Sequence, residues 1–111
     1  MSSSDIISIH APLNKNTKNL LNFERLSLLR DNSVLINVGR GGIINEKDLA
    51  RILKTKNIYV GLDVFEKEPI TPENPLLKFK DRIILTPHIA WASVESRERL
   101  FNGIYENLRV F

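Results

Sequence analysis

The stretch Asn37-Val38-Gly39-Arg40-Gly41-Gly42 constrains this chain more than any other. It follows an apolar run, Ser33-Val34-Leu35-Ile36, and precedes a helix-like run from Glu46 to Thr55. A strand, a glycine-rich turn and a helix start make an α/β unit. At such a turn the backbone N–H groups face outward, toward an anion or a cofactor. Arg40 places a fixed cation where most such turns carry a small residue.

The rest of the chain repeats the alternation. Asp5 to His10 is short, β-branched and apolar, and reads as a buried strand. Ala11 to Thr17 is a loop around Pro12. Asn22 is placed to cap a helix whose core face carries Phe23, Leu26 and Leu29. After the second strand, Asn45 is the expected N-cap of the next helix, with Asp48 three positions on as a capping-box variant. Leu49, Ile52 and Leu53 recur there at helical spacing. Ile58 to Val64 is a third strand. A long segment marked by Pro69, Pro72 and Pro75 follows, and long irregular loops in compact domains are often functional. Ile83 to Thr86 is a fourth strand, stopped by Pro87. Ser93 to Phe111 reads as a helix, with Leu100, Phe101, Ile104, Leu108 and Phe111 as its apolar stripe.

The order β-α-β-α-β-loop-β-α predicts parallel pairing with right-handed crossovers. The strands read as continuous apolar runs, which predicts a sheet covered on both faces. Four strands are few for a doubly wound sheet, so residues 1–111 read as one partial domain. The edge beside the first or second strand is then a cut edge.

Composition removes several function classes. Charged residues make up 26% of the chain, with a net charge of +3 and no dense basic run, so nucleic-acid binding is not suggested. No cysteine and only two histidines, His10 and His88, argue against a metal site. No apolar run approaches the ~20 residues of a membrane span, and Met1-Ser2-Ser3-Ser4 is not a signal peptide. The default compartment is the cytosol.

In parallel sheets ligands sit beyond the carboxyl ends of the strands. Those ends carry His10, Gly39-Arg40, Asp63 and His88. A structural Arg40 would cap a helix or pair with a surface carboxylate. A functional Arg40 offers a planar fork for a substrate carboxylate, and its flanking glycines would let that ligand approach. His88 follows Pro87, and the proline loop supplies Glu66 and Glu68. A carboxylate beside an imidazole holds its orientation and favours its charged form. A cation plus a histidine–carboxylate pair makes an acid–base constellation for a 2-hydroxy or 2-keto acid. Gly39-Arg40-Gly41 also imitates the start of the dinucleotide fingerprint G-x-G-x-x-G, but the third position is Ile44.

Four blocks resemble the D-isomer-specific 2-hydroxyacid dehydrogenases. They are Ser4 to Leu13 with Thr17, Leu35 to Glu46, Gly61 to Pro69, and Leu85 to Trp91. The resemblance implies the second half of a Rossmann-like domain that binds NAD. It implies that Arg40 binds the substrate's carboxylate and carbonyl oxygen, that His88 is the general acid or base, and that Glu68 pairs with His88, leaving Glu66 solvated. Asp63 would hydrogen-bond the nicotinamide carboxamide. Val38, Gly39 and Arg40, with His88, Ile89, Ala90 and Trp91, would line the nicotinamide. Pro12 and Thr17 would sit near the adenosine. Trp91 after His-Ile-Ala resembles the glycerate dehydrogenase (hydroxypyruvate reductase) branch.

The family's glycine fingerprint, ribose-binding acid and substrate domain have no counterpart among the 111 residues. The expectation is a fragment that does not turn over substrate by itself. Two other readings stand beside it. One is a non-catalytic module that forms a homo-oligomer, a dimer, through the last helix or the cut edge. The other is an independent nucleotide-binding half-domain that uses Gly39–Gly42 as a phosphate turn.

Overall fold

The computed structural model describes all 111 residues. Four strands form one parallel sheet: β1 (Ile6–Ile9), β2 (Val34–Asn37), β3 (Tyr59–Leu62) and β4 (Ile83–Leu85). Their order in the sheet is their order in the chain. Three α-helices follow the expected places: α1 (Phe23–Leu26), α2 (Glu46–Leu53) and α3 (Val94–Val110). The proline segment adds a 3₁₀ turn at Pro75–Lys78, capped by the Asn74 side chain.

The caps form as the sequence predicts, with one exception. The Asn22 side chain accepts from Arg25 N–H, and that of Asn45 from Asp48 N–H. Asp48 does not reach back to complete a capping box. Its carboxylate accepts instead from Phe23 N–H at the start of α1 and from Arg51. The Asn45 N–H already donates to Leu21 O, so the reciprocal bond had no donor to use. α1 is a single turn. Leu26 and Leu29 are buried as expected, but Phe23 lies outside the core, beneath the Arg51 guanidinium.

The core lies on one face of the sheet. Leu35, Val60 and Ile83 stand side by side across β2, β3 and β4, and Leu26, Leu29, Leu49, Ile52 and Leu53 pack over them with Leu76. The other face is bare, contrary to the expectation of a sheet covered on both sides. Ile6 is 66% exposed and Ile84 73% exposed, so β1 is not a buried strand but an open edge. The reason is topological. Strands added in one direction by right-handed crossovers put every connecting helix on the same face. The apolar runs are therefore read in alternation, with one side chain in the core and the next outside it.

α3 packs on nothing in this chain. None of its residues is buried, and its whole predicted stripe is exposed. The Cα radius of gyration is 16.3 Å, against about 13 Å for a compact chain of this length. No helix is long and apolar enough to cross a membrane.

Candidate active site

Parallel pairing brings the carboxyl ends of all four strands to one side, with the glycine turn after β2 and the His88 loop after β4. The glycine turn is held by a buried amide. Asn37, 2% exposed, accepts from Gly39 N–H at 3.0 Å and donates to Arg40 O at 2.9 Å. The Gly39 N–H is thus committed within the chain and is not offered to a phosphate.

The two tight glycines also make room for the chain's own loops. A Cβ on Gly41 would lie 1.7 Å from Phe65 O, and one on Gly39 would lie 2.9 Å from Ala11 O. Gly41 lets the arginine turn abut the loop that carries Glu68. Gly39 lets it abut the loop after β1. Only Gly42, at φ +83°, is needed for its backbone angle.

Arg40 is exposed, and the one hydrogen bond of its side chain is from Nη1 to the adjacent Gly39 O, at 2.8 Å. It takes part in none of the chain's ion pairs, so the structural role of a surface carboxylate partner is not filled. With His10, Ala11, Pro12, Val38 and Gly39 it lines a groove of ≈ 290 Å³. Thr17 is not part of this groove's lining. Its hydroxyl donates to Pro12 O and accepts from Asn14 N–H, which fixes the loop.

His88 and Glu68 meet as expected. His88 Nδ1 lies 2.8 Å from Glu68 Oε2, while Glu68 Oε1 accepts from Phe65 N–H at 3.0 Å. The hydrogen bond with His88, then that from Phe65, holds the Glu68 carboxyl below the ordinary glutamate range. The His88 Nε2 has no partner in the chain. Both residues line a second cleft, of ≈ 470 Å³, with Phe65, Pro69, Ile70, Leu85, Thr86 and Pro87. Glu66 is exposed, as the resemblance implies.

Arg40 and His88 thus line two different clefts within these 111 residues.

Asp63 is 4% exposed, and three donors of the β4 loop converge on it. Oδ1 accepts from Thr86 Oγ1 at 2.6 Å and from Ile89 N–H at 2.8 Å; Oδ2 accepts from Ala90 N–H at 2.9 Å. Burial by itself would raise its pKa. The bonds from Thr86, Ala90 and Ile89, with nearby His88, outweigh it and hold the carboxyl below the ordinary aspartate value. His88, at the centre of that loop, sits at φ +59°, which for a non-glycine residue costs about 1–3 kcal/mol unless its surroundings fix it. Trp91 closes the loop, its indole N–H donating to His88 O at 2.9 Å.

Three further residues shape the site. Asn37, Glu46 and Thr86 all lie inside the blocks that carry the resemblance, but the sequence gives none of them a role. Glu46 is buried at the start of α2. Its carboxylate accepts from Glu66 N–H and from the Asn74 side chain, both at 2.6 Å, and so ties the proline loop to the start of α2. The available signal was a polar residue directly beside an apolar run. Such a residue is either solvated or buried with partners, and sequence alone does not decide which.

A sequence profile for the D-isomer-specific 2-hydroxyacid dehydrogenase NAD-binding domain matches residues 1–90. This chain belongs to that family. It is 44% identical over 109 residues to a glyoxylate reductase of Thermofilum pendens, covering 97% of this chain and 32% of that protein. It is 42% identical over 112 residues to a hydroxypyruvate reductase of Blautia hydrogenotrophica, covering 100% and 34%. The fold superposes on the D-lactate dehydrogenase of Aquifex aeolicus complexed with NAD and lactic acid. That match has a TM-score of 0.79 and 32% identity, and covers 99% of this chain and 38% of the other. The chain spans about a third of the length of these relatives. The NAD-binding fold and the family membership expected from the four blocks are both met.

Proposed function

We propose that residues 1–111 form the nicotinamide-facing part of an NAD-dependent oxidoreductase that interconverts a 2-hydroxy acid and its 2-keto acid. Glyoxylate or hydroxypyruvate is the substrate class, in keeping with the names of the relatives. One observation carries the reading. The His88 imidazole is held through Nδ1 by Glu68, its Nε2 has no partner in the chain, and both residues line one cleft.

The residues present fit the nicotinamide end of NAD. Val38, Gly39 and Arg40, with Pro12, line an open groove at the strand ends, and His88, with Ile89, Ala90 and Trp91 after it, would flank the nicotinamide from the loop after β4. They do not offer a pyrophosphate cradle, because Ile44 replaces the third glycine of a fingerprint and Gly39 N–H is used by Asn37. Bound NAD supplies the hydride acceptor or donor. Arg40, unpaired in the chain, receives the substrate's carboxylate and carbonyl oxygen by paired N–H donors. His88 Nε2 gives a proton to the carbonyl oxygen in reduction and takes it from the hydroxyl in oxidation. Glu68 accepts from Nδ1–H in both ring states, so that Nε2 carries the proton given up by the imidazolium in reduction and is the bare nitrogen of the neutral ring in oxidation. Asp63 has one lone-pair position left for a carboxamide after its three donors. Thr17 and Pro12 act on the adenosine side by shaping one loop.

The test is a chimera in which residues 1–111 replace the matching third of the Thermofilum pendens enzyme. Oxidation of NADH with a 2-keto acid is expected. His88→Ala should lower kcat by about 10²–10⁴-fold, the usual worth of a general acid. A folded chimera that binds NADH but loses nothing on His88→Ala would sink the proposal. The purified 111-residue chain is expected to show no turnover.

A second reading has its own observation. The stripe of α3, with Leu108 72% exposed, supports self-association of the isolated chain as a dimer without catalysis. Light scattering tests it: Phe101→Glu with Leu108→Glu should return any dimer to monomer.

A further inference from the structure

The catalytic reading above uses Glu68 to orient the His88 ring, but it leaves the His88 backbone unexplained. His88 stands at φ +59°, a region that only a few per cent of non-glycine residues occupy, even though histidine is enriched there beside asparagine and aspartate. Something must over-determine it. The neighbours on both sides of His88 show what does. Thr86, two residues before, and Ile89 and Ala90, one and two after, all donate to the same carboxylate. That carboxylate is Asp63, at the end of the adjacent strand and 4% exposed.

We propose that Asp63 and Thr86 are a positioning pair for His88, a buried two-oxygen clamp that sets the loop backbone so that Nδ1 meets Glu68 and Nε2 faces the cleft. The inference rests on the proposed role of His88 but adds two residues to it, neither of which touches the imidazole by a hydrogen bond. A carboxylate suits this task because it only accepts. Both oxygens take N–H or O–H donors at once, whereas an amide presents one acceptor and one donor. Asp63→Asn therefore sets an NH₂ against either the Ala90 N–H or the pair formed by Thr86 and Ile89. Thr86→Val keeps the volume and removes one donor. Thr86→Ser keeps the donor and serves as the conservative control.

The experiment reads the ring rather than turnover. Imidazole ¹⁵N resonances of the 111-residue chain, measured at fixed neutral pH, report which ring nitrogen of each histidine is hydrogen-bonded. His10, whose Nε2 meets Ser8 Oγ at 2.8 Å, is the internal reference. The native chain and Thr86→Ser should give the same His88 pair of shifts, with Nδ1 bonded. Asp63→Asn and Thr86→Val should move both His88 shifts toward a tautomer-averaged ring, with His10 unchanged. Folded variants that lose stability but keep the native His88 shifts would overturn the proposal and leave the pair merely structural. If Asp63→Asn does not fold, as judged by its amide spectrum, Thr86→Val decides the matter alone, since two of the three donors then remain. Failure of the catalytic reading looks different: the ring shifts respond as expected, yet the chimera keeps full activity with His88→Ala.

Discussion

α2 and α3 both carry apolar stripes, sharply segregated in α2 and more diffuse in α3, and they meet opposite fates. α2 is eight residues long and buries five of them; α3 is seventeen residues long and buries none. Both stripes recur at spacings of three and four, and α2 keeps its apolar and polar faces further apart. The larger difference is the surface each is given. α2 sits between β2 and β3, where a right-handed crossover lays it on the sheet face that α1 and the 3₁₀ turn also cover. α3 follows β4 and lies against none of the four strands. Amphipathicity thus states that a helix wants a partner, and topology decides whether the chain provides one. The same holds for the sheet, where Leu35 and Val60 are core and Ile84 is surface.

That contrast can be tested from its strongest side downward. Gly41→Ala should be the most damaging single change, because its Cβ would meet backbone rather than a flexible side chain. A loss of about 4 kcal/mol or more is expected, beyond ordinary overpacking, and a urea midpoint near that of the native chain would show the arginine turn to be free of the Phe65 loop. Leu49→Ala, on the packed side, should lose about 3 kcal/mol by transfer and cavity formation. A loss under 1 kcal/mol would mean that this face is no better packed than the other.

Acid offers a third probe, at the junction of the two regions. Asp63 and Glu68 both have folded-state pKa values below their ordinary ones. The unfolded chain then binds more protons as pH falls, so these groups stabilise the fold fully above the ordinary carboxylate range. Their contribution is lost as pH drops through the depressed values. Urea melts across that window should lose stability with acid, less steeply in Asp63→Asn. An equal slope in the variant would remove Asp63 from the account.

The smallest effect is the sharpest statement of the comparison. Leu100→Ala and Leu108→Ala in α3 should each change the monomer's stability by no more than about 0.5 kcal/mol. A larger loss would mean that α3 is covered after all, by a second copy or by its own bare sheet face.

Much of the candidate site is legible in advance. Arg40 stands out as a cation inside a glycine turn and His88 as an imidazole behind a proline at a strand end, while Glu68 is set apart from Glu66 by the family resemblance. The Glu68–His88 contact then formed as expected. The clamp on the loop was not legible. Asp63 and Thr86 are 23 positions apart in sequence and meet only because β3 and β4 are neighbours in the sheet. Nor could sequence say for whom the glycines make room. A close approach requires glycine whether the visitor is a ligand or another loop, and only the coordinates name Phe65 and Ala11 as the visitors.

The sequence by itself determined the element order, the caps at Asn22 and Asn45, the parallel α/β class and the chemistry of the strand ends. These depend on residue type and short-range periodicity. The tertiary structure decided which apolar stripe is core, which loops abut the arginine turn, and how His88 is held. Those depend on which strands become neighbours and on which side the crossovers run, and no short-range pattern encodes that.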